Sequence, residues 1–312
     1  MSDPEHNQQV FSSHIVVTSA IIALTMSMTL PTTSERWGEQ IAVGNITHPK
    51  LSEVSGLAFS KTTPNLLWAH NDSGDTPTVY IIREDGELIA PVKLDGADHV
   101  DIEDIATGPC PDTIPAPSCV YIGDFGDNRH KREQVMLYIF QEPGDLNTPP
   151  ERVDVDATLH LRYPDGAHDV ETLVVHPHTG TIYLVQKSRK GSSEVSRVPA
   201  SAITSTPAAP AVTIPIATLA PTHTSRAGRM FTGGDISPDG RCVALRTYLE
   251  LHTHCSSDPT NFEAAFDNKP DIVRPPSMLQ SEAIAWDPSG GSVLITSERR
   301  PAPMVRLFWR KK

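Results

Sequence analysis

The sequence predicts an all-β fold, a β-propeller, on three observations. Five segments repeat one pattern, turn residues recur at fixed places within them, and Pro and Gly interrupt the chain too often for long helices. The repeats begin SEVSGLAFS at 52–60, DIEDIATG at 101–108, DVETLVVHPHTG at 169–180, TGGDISPDG at 232–240 and SEAIAWDPSGG at 281–291. A second apolar run follows each: NLLWAHNDSGD, CVYIGDFGDN, TIYLVQKS, RCVALRTY and SVLITSE. Each pair reads as a hairpin. Third strands are expected at TVYIIREDGEL (78–88), VMLYIFQEP (135–143) and MVRLFWRK (304–311).

The elements follow from local chemistry. Pro-Asp-Gly, Pro-Ser-Gly-Gly and His-Thr-Gly fall where a tight turn needs a preset or positive φ. A unit of a few sequential antiparallel strands cannot bury both faces alone, so such units pack radially as blades. The repeats account for residues 46–311, and either the last strand or the stretch 37–43 closes the ring by joining the blade at the other end. Five blades are recognisable. A sixth, degenerate blade is an alternative in 190–230, where SSEVSRVP and AVTIPIATLA look strand-like.

Domain organisation is read as a leader at 1–34 and one propeller domain at 35–312. Residues 6–34 carry no Asp, Glu, Lys or Arg, and 15–30 (IVVTSAIIALTMSMTL) are apolar with interleaved Thr and Ser. This reads as a signal peptide or weak membrane anchor, although the preceding residues are acidic and no A-x-A cleavage site follows; a buried strand or disordered leader is the alternative. Four cysteines bear on the compartment: Cys110 and Cys119 bracket one loop, and Cys242 and Cys255 a strand-turn stretch. Neighbour pairing in an oxidising, extracytoplasmic compartment is the expectation, with free buried thiols as the alternative.

The net charge of -12, with no basic run before the last few residues, leaves no electrostatic footprint for nucleic acid or anionic lipid. Contact with a membrane is expected only through the N-terminal segment. Cations or neutral molecules are the expected ligands.

ISPDGRCVAL resembles the strand-turn-strand signature of TolB-like and WD40-like propellers, and SEVSGLAFS, LLWAHNDSGD and CVYIGDFGDN resemble bacterial exported propeller proteins. Their layout is similar to the SMP-30/paraoxonase/strictosidine synthase-like group. That resemblance implies calcium in a central channel and a lactonase or other hydrolase activity, and it is specific for architecture rather than activity.

The residues carry their own case. With the repeats aligned on their turns, Glu103, Glu171 and Glu282 share one register on the innermost strand. Ser55 takes that register in the first repeat, with Glu53 two residues earlier on the same face, and Thr232 takes it in the fourth; Asp235, three positions on, is expected on the other face. Innermost strands surround the channel, so these carboxylates would converge. Two unit charges about 5 Å apart repel by roughly 3 kcal/mol at an effective dielectric near 20, so such a ring takes up protons or holds a cation. Oxygen-only ligands favour Ca²⁺ over Zn²⁺. The competing reading is that each Glu bonds the neighbouring blade's backbone and pins the ring.

Polar residues end each second strand, and from these Asn71, Asp72 and Asp124 join Glu53, Glu103, Glu171 and Glu282 as candidate metal ligands. Asx turns explain Asp and Asn before Gly equally well. For hydrolysis of an ester or lactone, His70 or a Glu is the candidate base and Lys187 or Arg246 the candidate oxyanion stabiliser. The substrate class is a small polar molecule. A non-catalytic propeller binding a cell-surface protein or carbohydrate is the alternative.

Other signals are discounted. Asp124-Phe125-Gly126 lacks the rest of a kinase, and there is no G-x-S-x-G, H-E-x-x-H or Walker sequence. His176 and His178 read as turn residues, His252 and His254 as surface residues of one strand face, and Asn45-Ile46-Thr47 as a sequon that matters only in a glycosylating cell.

Overall fold

The computed structural model describes residues 34, 36–72, 76–98, 100–199, 202–203 and 209–310, so the expected leader at 1–34 lies outside the described residues apart from Ser34. Every repeat becomes one antiparallel sheet, and the five sheets stand in a ring. Blade one is built from Val54–Phe59, Leu66–Asn71, Thr78–Arg83 and Leu88–Asp95. Blade two uses Ile102–Gly108, Cys119–Asp124, Val135–Gln141 and Ala157–Arg162; blade three uses Val170–Val175, Ile182–Gln186, Ser193–Arg197 and Ile214–Leu219. Blade four holds Phe231–Ile236, Cys242–Thr247, Leu251–Cys255 and Asp271–Val273. Blade five holds Ile284–Trp286, Ser292–Ile295 and Ala302–Trp309, and takes its outermost strand, Trp37–Ile46, from the start of the chain.

The inner strands of blades one and three are buried without alternation because both faces of each blade are covered. Side chains of successive residues point to opposite faces, so Leu57 packs toward blade five with Ala285 and Leu294, whereas Ala58 packs toward blade two with Ile105 and Val120. Five apolar clusters result, one for each seam of the ring.

The first strand closes the ring. Trp37 pairs with Trp309 and Ile46 with Ala302 in an antiparallel ladder. Trp37 lies 4.6 Å from Trp309 and 6.2 Å from Trp286, centroid to centroid. Ser34 Oγ accepts the Trp37 N–H at 3.0 Å, which starts the strand.

Two features differ from the expected layout. The segment 190–230 supplies the third and fourth strands of blade three, so the six-blade alternative gives way to five blades. Two short parallel pairings also lace neighbours together. Arg152–Asp154, reached after blade two's third strand, returns to the edge of blade one, and Ala211–Val212, reached after blade three's third strand, returns to blade two.

The turn chemistry holds: Asn65, Gly180, Gly240 and Gly290, each ending the hairpin turn after an inner strand, have φ of 63°, 66°, 69° and 69°. Disulfides join Cys110 to Cys119 and Cys242 to Cys255, the neighbour pairing, and leave no cysteine free. Two disulfides suit an oxidising setting. Among the described residues no helix is long and apolar enough to cross a membrane.

Candidate functional site

A bulge recurs in the inner hairpin of four blades. The ladder skips one residue between Val54 and Gly56, Ile102 and Asp104, Val170 and Thr172, and Phe231 and Gly233. The skipped residues are Ser55, Glu103, Glu171 and Thr232, the register residues of the repeats. A bulge frees one residue from pairing and re-aims its side chain. Here it separates two kinds of blade. Ser55 Oγ and Thr232 Oγ1 donate to the next blade's backbone, at Glu103 O (3.0 Å) and Ser281 O (2.9 Å). Glu103 and Glu171 instead bring carboxylates to the channel.

These two do not stand alone. Oxygens of Asp72, Asp101 and Glu103 lie within 4.8 Å of one another, and so do oxygens of Glu103, Asp169 and Glu171. Glu103 belongs to both triads. Asp101 and Asp169 enter through a shared Asp-x-Glu spacing, D101-I-E103 and D169-V-E171, that puts both carboxylates on one side of the chain. Glu53 holds that earlier register in the first repeat, and the two aspartates hold it in the second and third.

Space is kept open by Gly126. A Cβ there would come within 2.1 Å of Glu103 Oε1 and 2.3 Å of Asp101 Oδ2. The loop is held by Asp124, whose Oδ2 accepts the Val100 N–H at 3.0 Å, whose Oδ1 accepts the Asp101 N–H at 3.2 Å, and which pairs with Arg132 at 2.6 Å. Asp124 is therefore engaged as a brace behind Asp101. Asp127 N–H donates to Asp169 Oδ1 at 3.1 Å and fixes the second triad.

The electrostatics record the crowding. Burial, then the neighbouring charges of Asp72 and Asp169, raises the Asp101 carboxyl to about 6. Burial, followed by Glu171, Asp72 and Asp101, holds Glu103 well above the usual carboxylate range. Glu171 is also raised, by burial first, although Lys187 opposes this through a direct ion pair. For Lys187 burial acts downward, but Glu171, Tyr248 and Glu282 outweigh it and keep the ammonium raised.

Blade five contributes a further acidic pair. Glu282 Oε1 accepts from Tyr248 Oη at 3.1 Å, and its Oε2 is buried with no hydrogen-bond donor among the described residues. Burial, then the adjacent Glu282, raises Glu298 to about 9, so Glu298 keeps its proton near neutral pH. Lys187 Nζ lies 5.5 Å from the Tyr248 ring centre and links this pair to Glu171.

The remaining sequence candidates take other places. Glu53 and Asn71 line a cavity of about 710 Å³ on blade one, together with Lys50, Tyr80, Lys93 and Glu151. His70 is fully buried: Nδ1 sits 2.8 Å from Asn71 O, and a Cβ on Gly56 would come within 2.3 Å of Nε2. It packs between the inner strands of blades one and two. Arg246, also buried, donates through Nη1 to the carbonyls of Ala283 and Thr296, both at 2.7 Å, and so clamps blade four to blade five. Asp235 accepts the N–H groups of Ile236 and Trp286, both at 2.7 Å, away from the acidic cluster. His252 and His254 are buried rather than on the surface, held by Glu250 and by Asn268 O.

The donor set fits a hard divalent cation. Two oxygens bound to one Ca²⁺ at about 2.4 Å can be no more than about 4.8 Å apart, the spacing met within each triad. Thiolate and imidazole are absent from both triads, which disfavours zinc.

Solved propellers resemble the chain. Compared with the RRP9 WD40 repeats it is 12% identical, with 82% of this chain and 67% of that chain covered and a TM-score of 0.39. Compared with a gluconolactonase from Xanthomonas campestris it is 12% identical, with 87% of this chain and 89% of that chain covered and a TM-score of 0.48. Neither likeness carries an argument about chemistry. No protein-family model matches the chain, and no curated protein matches it.

Proposed function

We propose that the channel mouth is a calcium-type cation site centred on Glu103, and that it serves the hydrolysis of an ester or lactone in a small polar molecule. The observation that carries this reading is the sharing of Glu103 between two carboxylate triads, with Gly126 leaving the space beside them open. Asp72, Asp101, Asp169 and Glu171 complete the ligand set. Glu282 acts on Glu171 by its charge, and the Glu53 carbonyl accepts the Asp72 N–H. When bound, the cation would supply Lewis acidity toward a substrate carbonyl.

The chain's own groups divide the remaining work. Lys187 offers fixed positive charge beside Glu171, where an oxyanion would need stabilising. Glu298, raised to about 9, carries a proton that it can give up. Glu282 beside it replaces His70 as the candidate base, because the packed position of His70 belongs to the seam of blades one and two. The blade-one cavity beside Glu53 and Asn71 has the size of a small-molecule pocket. Export through the N-terminal segment is part of the same proposal and agrees with the disulfides.

The Lys187–Glu171 pair favours a second reading, a non-catalytic propeller in which acidic groups and Lys187 fix the ring and a surface protein or carbohydrate is bound. A pH-stat assay on a panel of small lactones and esters, with calcium and with chelator, separates the two. Calcium-dependent turnover that Glu103→Gln abolishes supports the hydrolase. Calcium binding without turnover on the whole panel supports the scaffold.

A further inference from the structure

The cavity of about 710 Å³ opens on one face of blade one, and its described lining includes none of the triad carboxylates. The strand pattern builds its base. Thr78 and Tyr80 alternate onto one face of the blade's third strand, where they lie opposite Lys93 and Pro91 of the fourth. Asn71, which ends the second strand, completes a polar floor: Asn71, Thr78 and Tyr80 are all 8% exposed or less.

Both walls are fixed by hydrogen bonds. On one side Asn71 Nδ2 donates to Lys50 O at 2.7 Å and Asn71 Oδ1 accepts the Glu53 N–H at 3.3 Å, which holds the 50–53 segment against the blade. On the other, the lacing strand Arg152–Asp154 runs along the fourth strand, and Glu151 O accepts the Lys93 N–H at 3.0 Å. Pro149 and Pro150, just before that anchor, form an apolar wall. A site built this way is preformed, so a ligand would not have to order it.

The lining selects the ligand. Among the described lining residues the charges balance, Lys50 and Lys93 against Glu53 and Glu151, and none of the four makes an ion pair with a described residue. A charged ligand of either sign would meet as many like charges as opposite ones. A sugar suits both, because each hydroxyl donates and accepts and can bond ammonium, carboxylate and the Ser52 and Thr78 hydroxyls alike. The C–H faces of its rings match Pro91, Pro149 and Pro150. The volume is in the small-molecule range and admits an oligosaccharide.

We propose that this cavity binds a neutral saccharide, with Lys93 and Glu151 as donor and acceptor at its mouth and the prolines beneath the sugar rings. The site is independent of hydrolysis at the channel mouth, and it gives the carbohydrate of the scaffold reading a place.

The test is calorimetric titration of the full chain with neutral trisaccharides of glucose, mannose, xylose and N-acetylglucosamine, with trigalacturonate as the acidic control, alongside melting curves. Saturable binding of at least one neutral probe, with a higher melting temperature, is expected. The double variant Lys93→Ala/Glu151→Ala should weaken it about tenfold, the worth of two hydrogen bonds. Both side chains are exposed, so the melting temperature without sugar should not change. Glu103→Gln and chelation should leave sugar affinity unchanged, so failure of the channel reading and failure of this site give different results. No saturable binding of any neutral probe, binding of trigalacturonate alone, full affinity in the double variant, or loss of sugar binding in Glu103→Gln would overturn the proposal.

Discussion

Glu103 is the residue on which both carboxylate triads depend, and its substitution separates a cation site from a structural acid. In the cation-free protein a carboxylate pair within 4.8 Å repels by about 3 kcal/mol at an effective dielectric near 20. Glu103→Gln removes one partner from both triads. It should therefore hold or raise the melting temperature without calcium, while lowering calcium affinity at least tenfold by calorimetry. A glutamate that merely pins the ring would behave oppositely, with stability falling and no calcium term to lose. Gly126→Ala tests the open space from the other side. Its methyl would collide with Glu103 and Asp101, so calcium binding should be lost and stability should fall by about 1–3 kcal/mol, read by urea denaturation.

At the scale of the element, the recurrent bulge is what turns a strand into part of a site. The Glu register was legible because a deletion-free alignment of DIEDIA, DVETLV and SEAIA places one carboxylate at each. The bulge was not, since a skipped residue leaves no mark in a strand of six or seven residues. Asp101 and Asp169 are legible as a twice-repeated Asp-x-Glu, one register before the aligned glutamates. The closing strand makes a separate prediction. Trp37 is 2% exposed and packed on Trp309 and Trp286, so Trp37→Ala should cost about 3–5 kcal/mol in unfolding free energy. Losing the Cys242–Cys255 link between paired strands, by Cys→Ser at both positions, should cost about 2–4 kcal/mol.

The whole molecule is a ring of five blades whose number and order follow from the repeats, because each unit must cover its faces with neighbours. What escaped the sequence is short or long in range. Two- and three-residue lacing strands such as Ala211–Val212 carry no pattern, and blade three's outer strands in 190–230 looked like an extra blade because their inner partners lie upstream. The buried acids also set how the ring responds to pH. Asp101 at about 6, Glu298 at about 9, and the raised Glu103 and Glu171 all bind protons more tightly folded than unfolded. Stability from them is complete below the unfolded carboxyl range near 4 and is lost as pH rises through 6 toward 9. Without calcium the melting temperature should fall across that window; with calcium, which displaces those protons, the fall should be blunted. The most direct measurement of the central claim is calcium titration calorimetry of the chelator-treated protein at pH 7.5, paired with metal analysis of the protein as purified. The account predicts one saturable calcium site per chain, lost in Glu103→Gln. No heat of binding, no metal in the purified protein and an unchanged melting temperature after chelation would contradict it.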